Sequence, residues 1–249
     1  MSDLSGKIAI VTGGGQGVGF GIARALSATG ARVMLSGRTE ATLADAATKL
    51  EGARFLVADG REPAALSALV DATIEAFGGI DILVNNAQQT PLGRLADVTD
   101  EAFIAGFESG PLATFRLMKL VTPHMKARGG GAIFNLVTSA GIRWDMAGFG
   151  AYGAVKQAMR VLTRAAASEW GADGIRVLSI APHALTPALE AWIAAHPDDA
   201  RAFFRTIPLG RIGNPEHDIG RMVAMLASDE AGYLTGATIP LDGGQANFD

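Results

Sequence analysis

Tyr152 and Lys156 stand four positions apart in the stretch AYGAVKQAMRVL, a spacing that puts both side chains on one helix face, one turn apart. A tyrosine with its ordinary pKa of about 10 is a poor acid–base group at neutral pH, but a neighbouring ammonium stabilises the phenolate and lowers that value. The pair is therefore a candidate proton donor and acceptor. Ahead of it, Thr138 and Ser139 each carry a hydroxyl that can orient and polarise a substrate oxygen. In isolation such a pair is common on helix surfaces, so its meaning depends on what the rest of the chain delivers to it.

A second group of residues suits a phosphate-bearing ligand. Thr12 is followed by Gly13, Gly14, Gly15, Gln16, Gly17, Val18 and Gly19, and then by a helical pattern over Phe20–Ala28. Glycines let the backbone turn tightly and approach a pyrophosphate, and the free N–H groups and dipole at a helix start stabilise its charge. A P-loop is excluded because no Gly-Lys-Ser/Thr follows. The next apolar run ends in Leu35-Ser36-Gly37-Arg38, with no acidic side chain to take an adenosine ribose 2′-hydroxyl. Arg38 can instead pair with a 2′-phosphate through its planar fork of donors, which favours NADP(H) and leaves NAD(H) open.

These residues need a scaffold that brings them to one end. Short β-branched runs near Lys7–Thr12, Arg32–Ser36, Arg54–Ala58, Ile80–Val84, Ala132–Val137, Ile175–Ile180 and Thr238–Leu241 alternate with longer helical patterns. The expectation is an α/β fold: one Rossmann-type, doubly wound, seven-stranded parallel sheet with helices on both faces. Ligands of such sheets lie beyond the strand carboxyl ends, where the winding reverses. The 249 residues carry no low-complexity tract or charge run, so a single domain over 1–249 is expected.

Composition narrows the function classes. With 49% hydrophobic and 18% charged residues the chain can bury a sizeable core. The absence of cysteine excludes disulfides, thiolate metal sites and a cysteine nucleophile, and no metal is expected. A net charge of −4 argues against nucleic acid as a main partner. No apolar run reaches the roughly 18–20 residues that span a bilayer. The Met-Ser-Asp start lacks a secretory pattern, so a cytoplasmic location with no membrane partner is the expectation.

Taken together, these residues resemble the short-chain dehydrogenase/reductase family over essentially the whole chain. The resemblance also rests on Asp59 after the third strand, NNAQ at 85–88, YGAVK at 152–156, IRVLSIAP at 175–182, PLGRIGNPEHDI at 208–219 and LTGATIPLDGG at 234–244. It implies that Tyr152 exchanges a proton with a carbonyl or alcohol while hydride passes to or from nicotinamide. Lys156 then lowers the tyrosine pKa and holds the nicotinamide ribose. It further implies that Asp59, Gly60, Asn86, Ala87, Pro182 and Thr186 join the glycine loop and Arg38 in holding the cofactor, together with Tyr152 and Lys156. The serine position is ambiguous. Counting thirteen back from Tyr152 gives Ser139, ranked first, whereas aligning the Ser-x-x-Gly pattern gives Thr138.

Three positions depart from the family pattern. Gln88 replaces the last glycine of NNAG, and His183 replaces the glycine after Pro182. The asparagine that completes the family's tetrad falls on Gly110, inside the stretch ESGPLATF, where Pro111 should leave the Phe107 carbonyl without its helical partner. Asparagine at 110 should be tolerated. Gln88, Trp144, Met146, Phe149, His183 and Trp192 are the expected substrate-pocket residues, with 187–206 as a mobile lid bearing Phe203 and Phe204. The implied function is hydride transfer between NADP(H) and a ketone or secondary alcohol on a bulky, mostly apolar small molecule. Imine reduction and a nonenzymatic dinucleotide-binding regulatory protein are the alternatives. The resemblance also implies a homo-oligomer, a tetramer or dimer, built on residues 102–127 and 152–170.

Overall fold

The computed structural model describes residues 3–142 and 146–246. Its seven strands are β1 (Ile8–Thr12), β2 (Arg32–Gly37), β3 (Arg54–Val57), β4 (Ile82–Asn85), β5 (Gly131–Leu136), β6 (Ile175–Pro182) and β7 (Thr238–Leu241). They form one parallel sheet in the order β3-β2-β1-β4-β5-β6-β7, the doubly wound architecture expected from the sequence. Successive side chains along the central strands feed opposite cores. Ile8 and Ile10 join Leu83, Ile133 and Val177 on one face, covered by α3 (Pro63–Phe77), α5 (Ala113–Ala127) and α6 (Gly150–Trp170). Ala9 and Val11 join Val84, Phe134 and Leu178 on the other, covered by α1 (Gly17–Ala28), α2 (Glu40–Thr48) and α9 (Arg221–Ala227). Burial on both faces is why these strands read as continuous apolar runs. Each fully buried Val, Leu or Ile contributes about 1.5–3 kcal/mol.

The winding reverses between β1 and β4, and the loops leaving these two strands are stitched together. Thr12 Oγ1 accepts the amides of Asn86 (2.9 Å) and Ala87 (3.1 Å), while Asn86 Nδ2 donates to the carbonyls of Thr12 (3.0 Å) and Gly13 (3.2 Å). β4 begins two residues later than its sequence pattern suggests. There the Asp81 carboxylate takes the Ile8 amide at 2.8 Å and pairs with Arg128, so a side chain replaces a ladder acceptor.

A buried polar chain fixes the depth of α6. Asn85 Nδ2 donates to Asn135 Oδ1 (2.8 Å), and Asn135 Nδ2 donates to Thr163 Oγ1 (2.9 Å), which also accepts from Ser179 Oγ (2.9 Å). Thr163 in turn donates to the Met159 carbonyl. Each of these side chains is shielded from water, so the chain is satisfied only when α6 sits at one height over the sheet.

The Gly-Pro dipeptide interrupts no helix. Between α4 (Asp100–Phe107) and α5 runs a single π-turn, Glu108–Leu112. The Glu108 amide still donates four residues back to Ile104, whereas that of Ala113 donates five back to Glu108. A shift of one in register leaves one amide surplus, and Pro111, which has none, lies between them. In a π-turn each carbonyl is served by the amide five residues on, so the Phe107 carbonyl comes within reach of Leu112 rather than being left open. The expected freed carbonyl gives way to a re-paired one.

Candidate active site

A cleft of about 620 Å3 opens at the carboxyl ends of β1, β2, β4 and β5. Its floor is the β1–α1 turn, where Gly13 (φ 64°) and Gly17 (φ 56°) occupy the left-handed region that favours glycine. A Cβ on Gly13 would lie 2.6 Å from Asn86 Nδ2, and one on Gly19 would lie 2.3 Å from the Gly13 carbonyl oxygen. Gly13, Gly15, Gln16, Gly17 and Val18 border the cleft, while Gly19 lies beneath it and supports the turn. Arg38, Asp59, Gly60, Asn86, Ala87, Pro182 and Thr186 also border it. The bare backbone at the start of α1 fits a dinucleotide pyrophosphate, and the exposed Arg38 stands at the β2 end of the same cleft.

Sequence reasoning missed Arg61, which also lines this cleft. Its guanidinium grips Asp59 with two nitrogens, Nη2 at 2.6 Å and Nε at 3.1 Å, and holds that carboxyl below the ordinary carboxylate range. The signal was a cation two residues after an acid in a turn.

At the other end of the cleft Lys156 is buried, and its Nζ donates to the Leu136 carbonyl at the end of β5. It lies 5.7 Å from the centroid of the Tyr152 ring. Tyr152 is hydrogen-bonded to Thr138, whose Oγ1 accepts the Ala140 amide at 3.2 Å. Burial pushes the Tyr152 phenol up to about 12, partly offset by the Thr138 bond, and pulls the Lys156 ammonium down to about 7. The i,i+4 spacing predicts the opposite shift for the tyrosine. In the protein alone, loss of water outweighs the Thr138 hydrogen bond, and both groups are driven toward their neutral forms.

Ser139, ranked first by spacing, does not share the Tyr152 bond. Thr138 follows the end of β5 and Ser139 opens the short turn Ser139–Ile142, and their hydroxyls take different partners. Ser139 Oγ donates at 2.6 Å to the buried Asp242, which also accepts the amides of Gly244 (3.0 Å) and Ala246 (3.1 Å). This serine ties the segment after β7 to the active-site loop.

The pocket wall is only partly as expected. Gln88 and His183 border the cleft, whereas Met146, Phe149 and Trp192 do not. Arg143, Trp144 and Asp145 fall outside the described residues. Met146 instead packs on Gly153, where a Cβ would lie 2.6 Å from its Cε, and Phe149 caps the start of α6. Trp192 of α7 (Pro187–Ala195) meets Phe203 of α8 (Pro197–Phe204) edge-on at 6.1 Å, and Phe203 meets the His183 ring at 5.2 Å. Both helices hang from a clasp in which the Leu185 amide donates to the Gly213 carbonyl and that of Gly213 to His183. Ser109, also missed, accepts the Gln89 amide at 3.0 Å and so fastens the π-turn to the loop after β4. A Cβ on Gly110 would lie 2.9 Å from Val155 Cγ1 and 3.2 Å from Gln88 Cδ. That crowding reverses the expectation that asparagine is tolerated there.

A glycine turn at the reversal of a parallel sheet, with a Thr–Tyr–Lys group at the neighbouring strand ends, defines an oxidoreductase of the nicotinamide-dinucleotide class. The family described as enoyl-(acyl carrier protein) reductase matches residues 13–246. A 12alpha-hydroxysteroid dehydrogenase of Clostridium sp. is 38% identical over 257 residues, covering 98% of each chain. A 3-alpha-(or 20-beta)-hydroxysteroid dehydrogenase of Mycobacterium bovis is 36% identical, covering 97% of this chain and 90% of its own. Among solved structures, actinorhodin polyketide ketoreductase with NADPH superposes with a TM-score of 0.91 at 29% identity, covering 97% of this chain and 98% of that one. A short-chain type dehydrogenase/reductase from Mycobacterium ulcerans superposes with a TM-score of 0.90 at 32% identity, covering 98% and 90%. The chain belongs to the short-chain dehydrogenase/reductase family and is an oxidoreductase of alcohols and ketones. The family binds NAD(P). No helix among the described residues is long and apolar enough to cross a membrane.

The buried lysine makes stability depend on pH. Its pKa falls from 10.5 to about 7 on folding, so between these values the unfolded chain binds more protons and stability climbs with pH. Lys156→Met removes this dependence, whereas the Tyr152 shift is common to both proteins and cancels. Thermal unfolding of the protein without cofactor should show the variant's Tm advantage largest at pH 7 and gone by about 10.5. Parallel pH profiles would contradict a buried lysine driven toward neutrality.

Proposed function

We propose that the protein is an NADP(H)-dependent reductase of ketones, or the corresponding alcohol dehydrogenase, acting on a steroid-sized, mostly apolar ring system. The contact between Thr138 and Tyr152, at the end of a cleft that starts at the glycine turn, carries this reading. The hydroxysteroid dehydrogenases among its relatives support the substrate class and its mostly apolar character.

The nicotinamide cofactor supplies or accepts the hydride when bound. The glycine turn would hold its pyrophosphate, with Asn86 bracing that turn through the Thr12 and Gly13 carbonyls; Arg38 would hold its 2′-phosphate, and Lys156, Pro182 and Thr186 its nicotinamide half. The chain's own residues handle the proton. Tyr152, at the end of the cleft and beside Thr138, gives its phenolic proton to the substrate oxygen as the carbonyl becomes an alcohol. Thr138 presents its hydroxyl to that same oxygen and fixes the angle of approach, the role that spacing alone would give Ser139. In the reverse direction Tyr152 takes the proton back. Lys156, pinned to Leu136, holds this end of α6 in place.

Self-association through the outer face of α4 and α6 is part of the reading. An apolar groove of about 450 Å3 runs there beside the π-turn, lined by Phe103, Ile104, Phe107, Leu112, Phe115 and Leu162, within the two stretches expected to meet a second copy. A cytoplasmic location also remains part of it.

NADPH oxidation with a panel of cyclic ketones and imines tests the function. Ketones should turn over, Thr138→Ala should lower kcat about a hundredfold, and Ser139→Ala should mainly lower thermal stability. Imine turnover alone, or a greater kcat loss from Ser139→Ala, would contradict the assignment. For the cofactor, Arg38→Asp should raise KM for NADPH about tenfold or more while leaving KM for NADH nearly unchanged. Equal effects on both would sink the 2′-phosphate contact.

A further inference from the structure

One polar group in the cleft is left without work by the mechanism above. Both amide atoms of Gln88, Oε1 and Nε2, are shielded from water and have no hydrogen-bond partner among the described residues. Several polar side chains nearby are engaged. Ser109 Oγ donates to the Ala105 carbonyl (2.7 Å) and accepts the Gln89 amide, Asn86 Nδ2 serves the Thr12 and Gly13 carbonyls, and Thr138 faces Tyr152. Lys156 is bound to Leu136.

The seat of this carboxamide is made by a glycine. A Cβ built on Gly110 would lie 3.2 Å from Gln88 Cδ, 3.3 Å from its Nε2 and 2.9 Å from Cγ1 of Val155, the residue before Lys156. A Cβ at 110 would press on Val155 and oblige the Gln88 amide to shift beside the turn of α6 that carries Tyr152 and Lys156. Gly110 and Gln88 thus form one unit, a gap on the π-turn filled by an amide from the β4 loop.

A buried amide with an open donor and an open acceptor, on a side chain that borders the cleft, calls for a ligand group that displaces the atoms now covering it and supplies one or both partners. We propose that Gln88, seated over Gly110, binds a second oxygen of the substrate, a hydroxyl or carbonyl remote from the reacting carbon. The inference rests on the ketone and alcohol reading above and adds the feature by which substrates of one size are told apart. A site built around such a bond discriminates strongly against the analogue lacking the oxygen, because the amide is then left buried and unpaired.

The test uses the NADP+ complex of the full chain, in which a ketone has no hydride to accept, with androstanone and a set of hydroxyandrostanones that differ in the hydroxyl position. Dissociation constants are read from the change in tryptophan fluorescence, which needs no turnover. Wild type should bind at least one hydroxyandrostanone about tenfold tighter than androstanone, and Gln88→Met, close in volume, should reduce that ratio to about one. Gly110→Ala should erase the same preference, and the double variant should lose no more than either alone. The proposal is overturned if wild type shows no preference across the set, if either variant keeps the ratio, or if the double variant loses more than either single one. It is equally overturned if Gln88→Met weakens NADP+ binding before any ketone is added, which would assign the amide to the cofactor. Failure of wild type to oxidise NADPH with any of these ketones counts against the reductase reading instead, while the binding ratios still judge Gln88.

Discussion

The site depends on a lysine that is almost wholly buried. Lys156 passes under the carboxyl end of β5 and donates to the Leu136 carbonyl, so α6 cannot slide or roll without leaving a buried amino group unpaired. Tyr152 lies one turn earlier on the same face and is fixed with it. The polar chain from Asn85 through Asn135 and Thr163 to Ser179 holds the same helix one and two turns further on. Together these bonds set the height at which the phenol meets Thr138.

The rest of the architecture converts that fixed helix into a reaction centre. The reversal between β1 and β4 places the glycine turn beside the Asn86 loop, and Ser109 fastens the same loop to the π-turn. Ser139 and Asp242 lock the last strand's exit to the loop that carries Thr138. Each link is a side chain bonded to backbone or to another side chain near a strand end, so the cleft is rigid where a dinucleotide and a substrate oxygen are to meet. The Gly-Pro pair fits the same logic. Proline occupies the slot of an i→i+5 turn that has no use for an N–H, and glycine leaves the gap that Gln88 fills.

Much of this was legible in the sequence, for identifiable reasons. Strands buried on both faces announce themselves as apolar runs, and their alternation with helices points to a parallel, doubly wound sheet. The glycine turn was legible because few other residues tolerate its dihedral angles and contacts. What failed were statements needing three dimensions. Spacing leaves Thr138 and Ser139 undecided, since the partner of the Ser139 hydroxyl, Asp242, lies 103 residues away. The pKa argument for Tyr152 had the sign reversed because burial, invisible in a spacing rule, dominates. The Asp59–Arg61 pair and the Ser109 clasp escaped because their meaning lies in partners that local patterns do not name.

The central claim is that Tyr152 is the proton donor of a ketone reductase. The most direct measurement is single-turnover NADPH oxidation on a cyclic ketone by Tyr152→Phe, with NADPH affinity measured alongside. The account predicts a rate loss on the order of a thousandfold, within the range of losing a positioned acid, while NADPH binds as tightly as in wild type. Turnover within a few-fold of wild type would contradict it, because the phenolic oxygen would then have no part in the reaction.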